Sequence, residues 1–102
     1  MSQELEKKIQ ILQSYSDDLE KNYYVRRLGI FGSFSKNSQT RKSDIDILVE
    51  FQKPVGFFTF FKLEKFLEKV LQSKVDLVTR NALKPSIKKQ VLDETIYVQT
   101  RI

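Results

Sequence analysis

Two aspartates, Asp44 and Asp46, flank Ile45 at the head of an apolar run, and their types and spacing offer the chain's clearest chemistry. On an extended strand, residues two apart point to the same face, with Cα atoms about 7 Å apart. Carboxylates leaning together from that distance can bridge two cations about 3.5–4 Å apart, the separation used in two-metal phosphoryl chemistry. A third carboxylate on a neighbouring strand would complete such a site, and Asp76, between Val75 and Leu77, is the candidate. Its apolar neighbours would make an ionised Asp76 costly unless a cation satisfied it. Gly32 and Ser33 supply the other half. A glycine where a strand turns into a loop lets the backbone approach a phosphate closely. The N–H groups after it, with the Ser33 hydroxyl, can hold terminal phosphates, and Lys36 is close enough in sequence to add a point charge.

Each part has a plainer reading. Alone, an Asp-x-Asp at a strand start is an ordinary loop-to-strand cap, Ser33 caps a short helix, and Asp76 is a strand-edge acid. Lys36, Arg41 and Lys42 read equally as a solvated loop. The order Gly32-Ser33, then Asp44-Ile45-Asp46, then Asp76 is what argues for a metal and a phosphate together.

Composition narrows the chemistry further. With no histidine, Ser-His-Asp catalysis, imidazole zinc sites and histidine bases are all excluded. With no cysteine there is no disulfide framework, thiolate nucleophile or thiolate metal site. A bound metal must therefore sit on oxygen, which favours magnesium, manganese or calcium. The net charge of +5 suits an anionic partner. No run of about 18 apolar residues suggests a membrane span, and Met1 to Glu6 lacks the character of a signal peptide. The expected location is the cytoplasm.

The elements that position these residues follow from periodicity. Leu5, Ile9, Leu12 and Leu19 form one apolar stripe on a helix from Glu4 to about Asn22. Val25 to Phe31 reads as a buried strand ending at Gly32, residues 33–43 as a polar loop, and Ile45 to Phe51 as a second strand. Pro54 and Gly56 precede a helix from Phe57 to Gln72, with Phe60, Leu63, Leu67, Val70 and Leu71 on its core face. Val75 to Thr79 is a third strand, and Pro85 opens a last helix with Ile87 and Val91 facing inward. Ile96-Tyr97-Val98 is a short edge strand or an ordered extension. The expected fold is one α/β domain over residues 1–102, a mixed sheet of about three strands flanked by about three helices.

Five of the eight phenylalanines fall between Phe57 and Phe66, and Phe58 and Phe61 project away from the Leu63–Leu67–Val70 face. They mark a partner surface, or else the first helix or the tail covers them. Lys84, Lys88 and Lys89 have no interleaved aromatics and read as a solvated helix face, not a nucleic-acid site.

The stretches Leu28–Lys36, Ser43–Phe51, Val75–Thr79 and Ala82–Pro85, in that order, resemble the minimal nucleotidyltransferases, small members of the DNA polymerase β-like superfamily. The resemblance implies transfer of a nucleoside monophosphate, AMP from ATP, with Mg²⁺ (or Mn²⁺) held by Asp44, Asp46 and Asp76. It implies that Gly32 and Ser33 hold the β- and γ-phosphates, and that Asp76 assists deprotonation of the acceptor hydroxyl. It also implies a helical HEPN-type toxin as partner, with this chain as the antitoxin that modifies it. Where the family continues its Gly-Ser with a small residue, an arginine and a glycine, this chain has Ser35, Lys36 and Asn37. Lysine keeps the charge but loses the bidentate fork. Two alternatives stay open: a non-catalytic binding module, and a small-molecule nucleotidyltransferase subunit completed by a helical partner. Self-association is equally open.

Overall fold

In the computed structural model, which describes residues 3–32 and 44–98, the first apolar stripe folds as two helices rather than one. Helix α1 spans Gln3–Ser14 and α2 spans Ser16–Tyr23. The break has a local cause. Ser14 donates its hydroxyl to the Ile11 carbonyl at 2.6 Å, and the Tyr15 N–H reaches only three residues back, to Leu12, at 3.2 Å. The break also serves packing, because the rings of Tyr15 and Tyr23 lie 5.3 and 5.1 Å from that of Phe66.

Strand β1 (Val25–Phe31) pairs antiparallel with β2 (Ile45–Phe51). Helix α3 (Phe57–Leu71) then crosses over to β3 (Val75–Thr79), which lies parallel beside β2. A 3₁₀ turn at Arg80–Ala82 leads to α4 (Pro85–Glu94), and β4 (Ile96–Tyr97) returns antiparallel along the other side of β1. The sheet order is β3-β2-β1-β4, with α1 and α3 among the helices that cover it. The α/β fold with a mixed sheet is as expected from the sequence, with one more strand and one more helix among the described residues.

Alternation assigns the two faces. Leu28, Ile30, Ile45, Ile47, Val49, Val75 and Leu77 point into the main core, where they meet Leu5, Leu12 and Leu19 and the α3 residues Leu63, Leu67 and Leu71. The opposite face carries Arg27 and Gly29 of β1, Asp46, Leu48 and Glu50 of β2, Asp76 of β3 and Tyr97 of β4. Leu48 and Val91 are buried outside the main cluster. Ile87, expected to face inward like Val91, is 44% exposed. Val91, one turn further along α4, is 7% exposed.

Two carboxylates on α3 fix the edge strand. Glu68 accepts the Val75 N–H at 3.2 Å and Glu64 accepts the Leu77 N–H at 3.4 Å. These are the outward amides that an edge strand would otherwise leave unpaired. The Val75 hydrogen bond holds the Glu68 carboxyl below its ordinary pKa. At the carboxyl end of α3, Lys8 of α1 donates to the Leu71 carbonyl at 2.7 Å, capping α3 from another helix. No helix among the described residues is long and apolar enough to cross a membrane.

Candidate active site

The parallel register of β2 and β3 pairs Asp46 with Asp76. Neighbouring strands lie about 4.8 Å apart, so the two side chains rise side by side from one face. Asp44 stands one residue before β2 and is exposed. The start of the strand is pinned by the Ile45 N–H, which donates to the Lys74 carbonyl at 2.9 Å. Asp76 is exposed as well, although its neighbours in sequence are apolar. Val75 and Leu77 point into the core on the other side of the sheet.

Asp46 is the strained member of the group. Its carboxyl is pushed up from 3.8 to about 6, first by burial and then by the charges of Asp76, Asp44 and Glu94. Four acids therefore act on one spot. Among the described residues no group of three is already gathered in a geometry that would hold a metal ion. The donor set still fits a hard cation. All the donors are oxygens, and a positive charge there would offset the cost of ionising Asp46.

Gly32 closes the site from the β1 side. It follows Phe31, which pairs with Asp46 across the sheet, and its φ of +72° suits glycine. A Cβ added there would run into Oδ2 of Asp46, so any other residue at this turn would have to displace that carboxylate. The Gly32 N–H donates to Oε1 of Glu94 at 3.3 Å. Ser33 and Lys36, the other residues expected to hold phosphate, lie outside the described residues, as do Ser35 and Asn37.

Glu94 was not singled out from the sequence. It ends α4 and is half-buried. A signal was present, since a carboxylate in the last turn of a helix opposes the helix dipole and therefore calls for another reason to be there. The α4–β4 joint lies tightly over the sheet. A Cβ on Gly29 would strike Cγ2 of Thr95 and press on the Tyr97 ring. Arg27 on the same face pairs with Glu50 and lies 3.9 Å from the centre of the Tyr97 ring.

The phenylalanines are also placed. Phe60 and Phe66 pack against the core, whereas Phe57, Phe58 and Phe61 are 79%, 78% and 43% exposed. No described helix or tail segment covers Phe58 or Phe61. Near them an open cleft of about 700 Å³ is lined by Phe57, Phe60, Lys53 and Arg80. It lies at the far ends of β2 and β3, away from the carboxylates.

Residues 12–98, which take in the whole sheet, match the nucleotidyltransferase domain family. The chain belongs to that family and is a nucleotidyltransferase. It is 47% identical over 89 residues to the protein named "Putative protein adenylyltransferase MJ0128" of Methanocaldococcus jannaschii, covering 86% of this chain and 91% of that one. It is 40% identical over 88 residues to the protein adenylyltransferase MntA of Thermococcus cleftensis, covering 86% and 89%. A chain in a solved toxin–antitoxin structure with AMP-PNP matches with a TM-score of 0.69 at 25% identity, over 87% of this chain and 73% of that one.

Proposed function

We propose that this chain transfers the AMP group of ATP to a hydroxyl of a partner protein, and that the partner is a helical HEPN-type toxin neutralised by the transfer. The observation that carries the reading is the pairing of Asp46 with Asp76 on adjacent parallel strands, beside the Gly32 turn. Relatives named as protein adenylyltransferases, and a similar chain in a toxin–antitoxin structure with AMP-PNP, support the acceptor and nucleotide classes.

Asp44, Asp46 and Asp76 would hold Mg²⁺, with Mn²⁺ the alternative. Such an ion, when bound, neutralises triphosphate charge and makes a coordinated hydroxyl more acidic. Asp46 is held in place on both sides, by Phe31 across β1 and Asp76 across β3. Backbone N–H groups following Gly32, with Ser33 and Lys36, grip the β- and γ-phosphates and so orient the leaving group in line. The acceptor oxygen bonds to the α-phosphorus as the bond to the oxygen bridging the β-phosphate breaks. Pyrophosphate departs with that electron pair. Asp76, exposed beside Asp46, takes the proton of the attacking hydroxyl.

The test is incubation of the purified chain with α-labelled ATP, Mg²⁺ and the protein that copurifies with it. Label should appear on a partner hydroxyl. No transfer, or equal transfer by Asp44→Asn, would sink the reading.

The exposure of Phe57 and Phe58 favours a second reading, a binding antitoxin that acts without chemistry. It wins if Asp44→Asn/Asp46→Asn still neutralises the partner while Phe58→Asp/Phe61→Asp does not.

A further inference from the structure

The first turns of α3 direct aromatic rings outward into basic surroundings. Phe57, Phe58 and Phe61 are exposed, and the rings of Phe57 and Phe61 stack with centres 6.1 Å apart. Together the three leave roughly 400 Å² of ring surface in solvent, about half of what one partner buries in a stable protein–protein contact. Residues one helical turn apart are neighbours, which sets Lys62 beside Phe58. The cleft at the ends of β2 and β3 continues this surface, since Phe57 lines it together with Lys53 and Arg80. The nearby acids are committed elsewhere. Between Phe51 and Leu63 the chain has no carboxylate. Glu64 accepts the Leu77 N–H, and Glu68 accepts the Val75 N–H and pairs with Lys65. Glu50, the acid in the cleft wall, pairs with Arg27. Exposed rings bordered by cations are what faces solvent.

We propose that this surface docks an acidic, apolar segment of the protein that receives AMP, with Phe57, Phe58 and Phe61 as apolar anchors and Lys53, Lys62 and Arg80 as the matching cations. This rests on the transfer reading above and adds the chemistry of the partner. Carboxylates flanking apolar side chains suit both halves of the surface. The rings bury the apolar groups, while the cations attract the charges and reject basic competitors. A second copy of this chain is a poorer match, because two such surfaces face to face bring like charges together. The surface also stands apart from the reacting groups. Asp46 and Phe51 lie five residues apart on β2, which puts the cleft about 17 Å from the carboxylates. Docking there holds the partner without touching the nucleotide, so it lowers the KM for the partner and leaves the chemical step alone.

The test takes the full chain, ATP with Mg²⁺, and the copurifying protein after the two are separated, and measures both binding and transfer. Phe57→Ala/Phe58→Ala removes two rings without adding charge, and Lys53→Glu/Arg80→Glu reverses the charge of the cleft. All four side chains are exposed, so both variants should melt as the parent does. Each should raise the partner's Kd and KM by about tenfold, with kcat and the affinity for AMP-PNP within about twofold of the parent. Binding of the partner to the parent should weaken as salt rises from about 50 mM to about 300 mM, and the charge-reversed variant should lose that dependence. The docking surface is overturned if the ring variant leaves Kd and KM unchanged, if the charge-reversed variant binds as tightly or more tightly, or if either variant loses AMP-PNP affinity. It is also overturned if the parent is a dimer that the ring variant splits with no change in KM, which gives the rings to a second copy. If no AMP is transferred while the Kd pattern holds, the transfer reading falls and the docking surface stands. If transfer proceeds with the same KM in both variants, docking falls and transfer stands; a parent that neither binds nor modifies the protein sinks both.

Discussion

Replacing Asp46 with asparagine should stabilise the metal-free protein at neutral pH while abolishing its transfer activity. The Asp46 carboxyl rises from 3.8 to about 6 on folding, so the native state binds its proton more tightly than the unfolded chain does. For a raised acid, native stability is greatest below the unfolded value and falls as pH climbs through the window from about 4 to about 6. Above that window the full penalty applies. At 1.36 kcal/mol per tenfold in proton affinity, the ceiling is about 3 kcal/mol. Solvent reaches roughly half of this side chain, and screening brings the expected penalty down to about 1–2 kcal/mol. Asparagine cannot ionise and avoids it. Urea unfolding of both proteins in chelator-treated buffer at pH 4 and pH 7.5 measures the difference. The variant should be more stable by about 1–2 kcal/mol at pH 7.5, or several degrees in Tm for a domain of this size, and equal to the parent at pH 4. An advantage of the same size at both pH values would refute the electrostatic argument, as would a variant that is less stable at pH 7.5.

The remaining predictions probe the elements around that carboxylate. Mg²⁺ should raise the melting temperature of the parent at pH 7.5 and leave Asp46→Asn nearly unmoved, since binding only to the native state stabilises it; thermal melts with and without EDTA check this. Gly32→Ala forces a side chain into a left-handed turn and against Asp46, so it should cost about 1–3 kcal/mol and most of the activity, read by urea unfolding and label transfer. Glu68→Ala uncaps the Val75 N–H on the edge strand and should cost about 1 kcal/mol in denaturant unfolding. The double change Phe58→Asp/Phe61→Asp alters exposed side chains, so stability should hold within about 0.5 kcal/mol while the amount of copurifying partner drops, as seen on gels of the purified complex.

The strands carrying the acids were legible because alternation is local information. Ile45, Ile47 and Val49 face one way, which puts Asp46 on the other. The Asp46–Asp76 pairing needed one step more. A β–α–β unit made of β2, α3 and β3 returns its second strand parallel to the first, and register then matches their second residues. The interruption at Tyr15 was hidden for the opposite reason. Leu12 and Leu19 are seven apart, which suits a continuous helix, and the competing Ser14 hydroxyl bond leaves no trace in hydrophobic periodicity. Ile87 misled because its four-residue spacing from Val91 assigns both to one face without saying how far along α4 the sheet extends. Glu94 was the costliest omission. Its role depends on a contact with Gly32 across 62 residues, and nothing in its immediate neighbours reports that.

The site is a meeting of chain ends, and that geometry explains its chemistry. β1 finishes at the place where β2 begins, because the two run antiparallel. β3 begins there as well, because it runs parallel to β2. α4 finishes there too, bringing the negative end of its dipole and Glu94. Apart from the glycine turn, each of these ends contributes an acid, and at Asp46 burial keeps the charge from being fully solvated. Asp46 shows the result as a carboxyl that holds its proton up to about pH 6, well above the ordinary carboxylate range. Folding has thus concentrated electrostatic cost at one place that a cation and a triphosphate can jointly relieve. A protein selected for stability alone would have put asparagine or leucine at position 46, so the aspartate itself argues that the cost is functional.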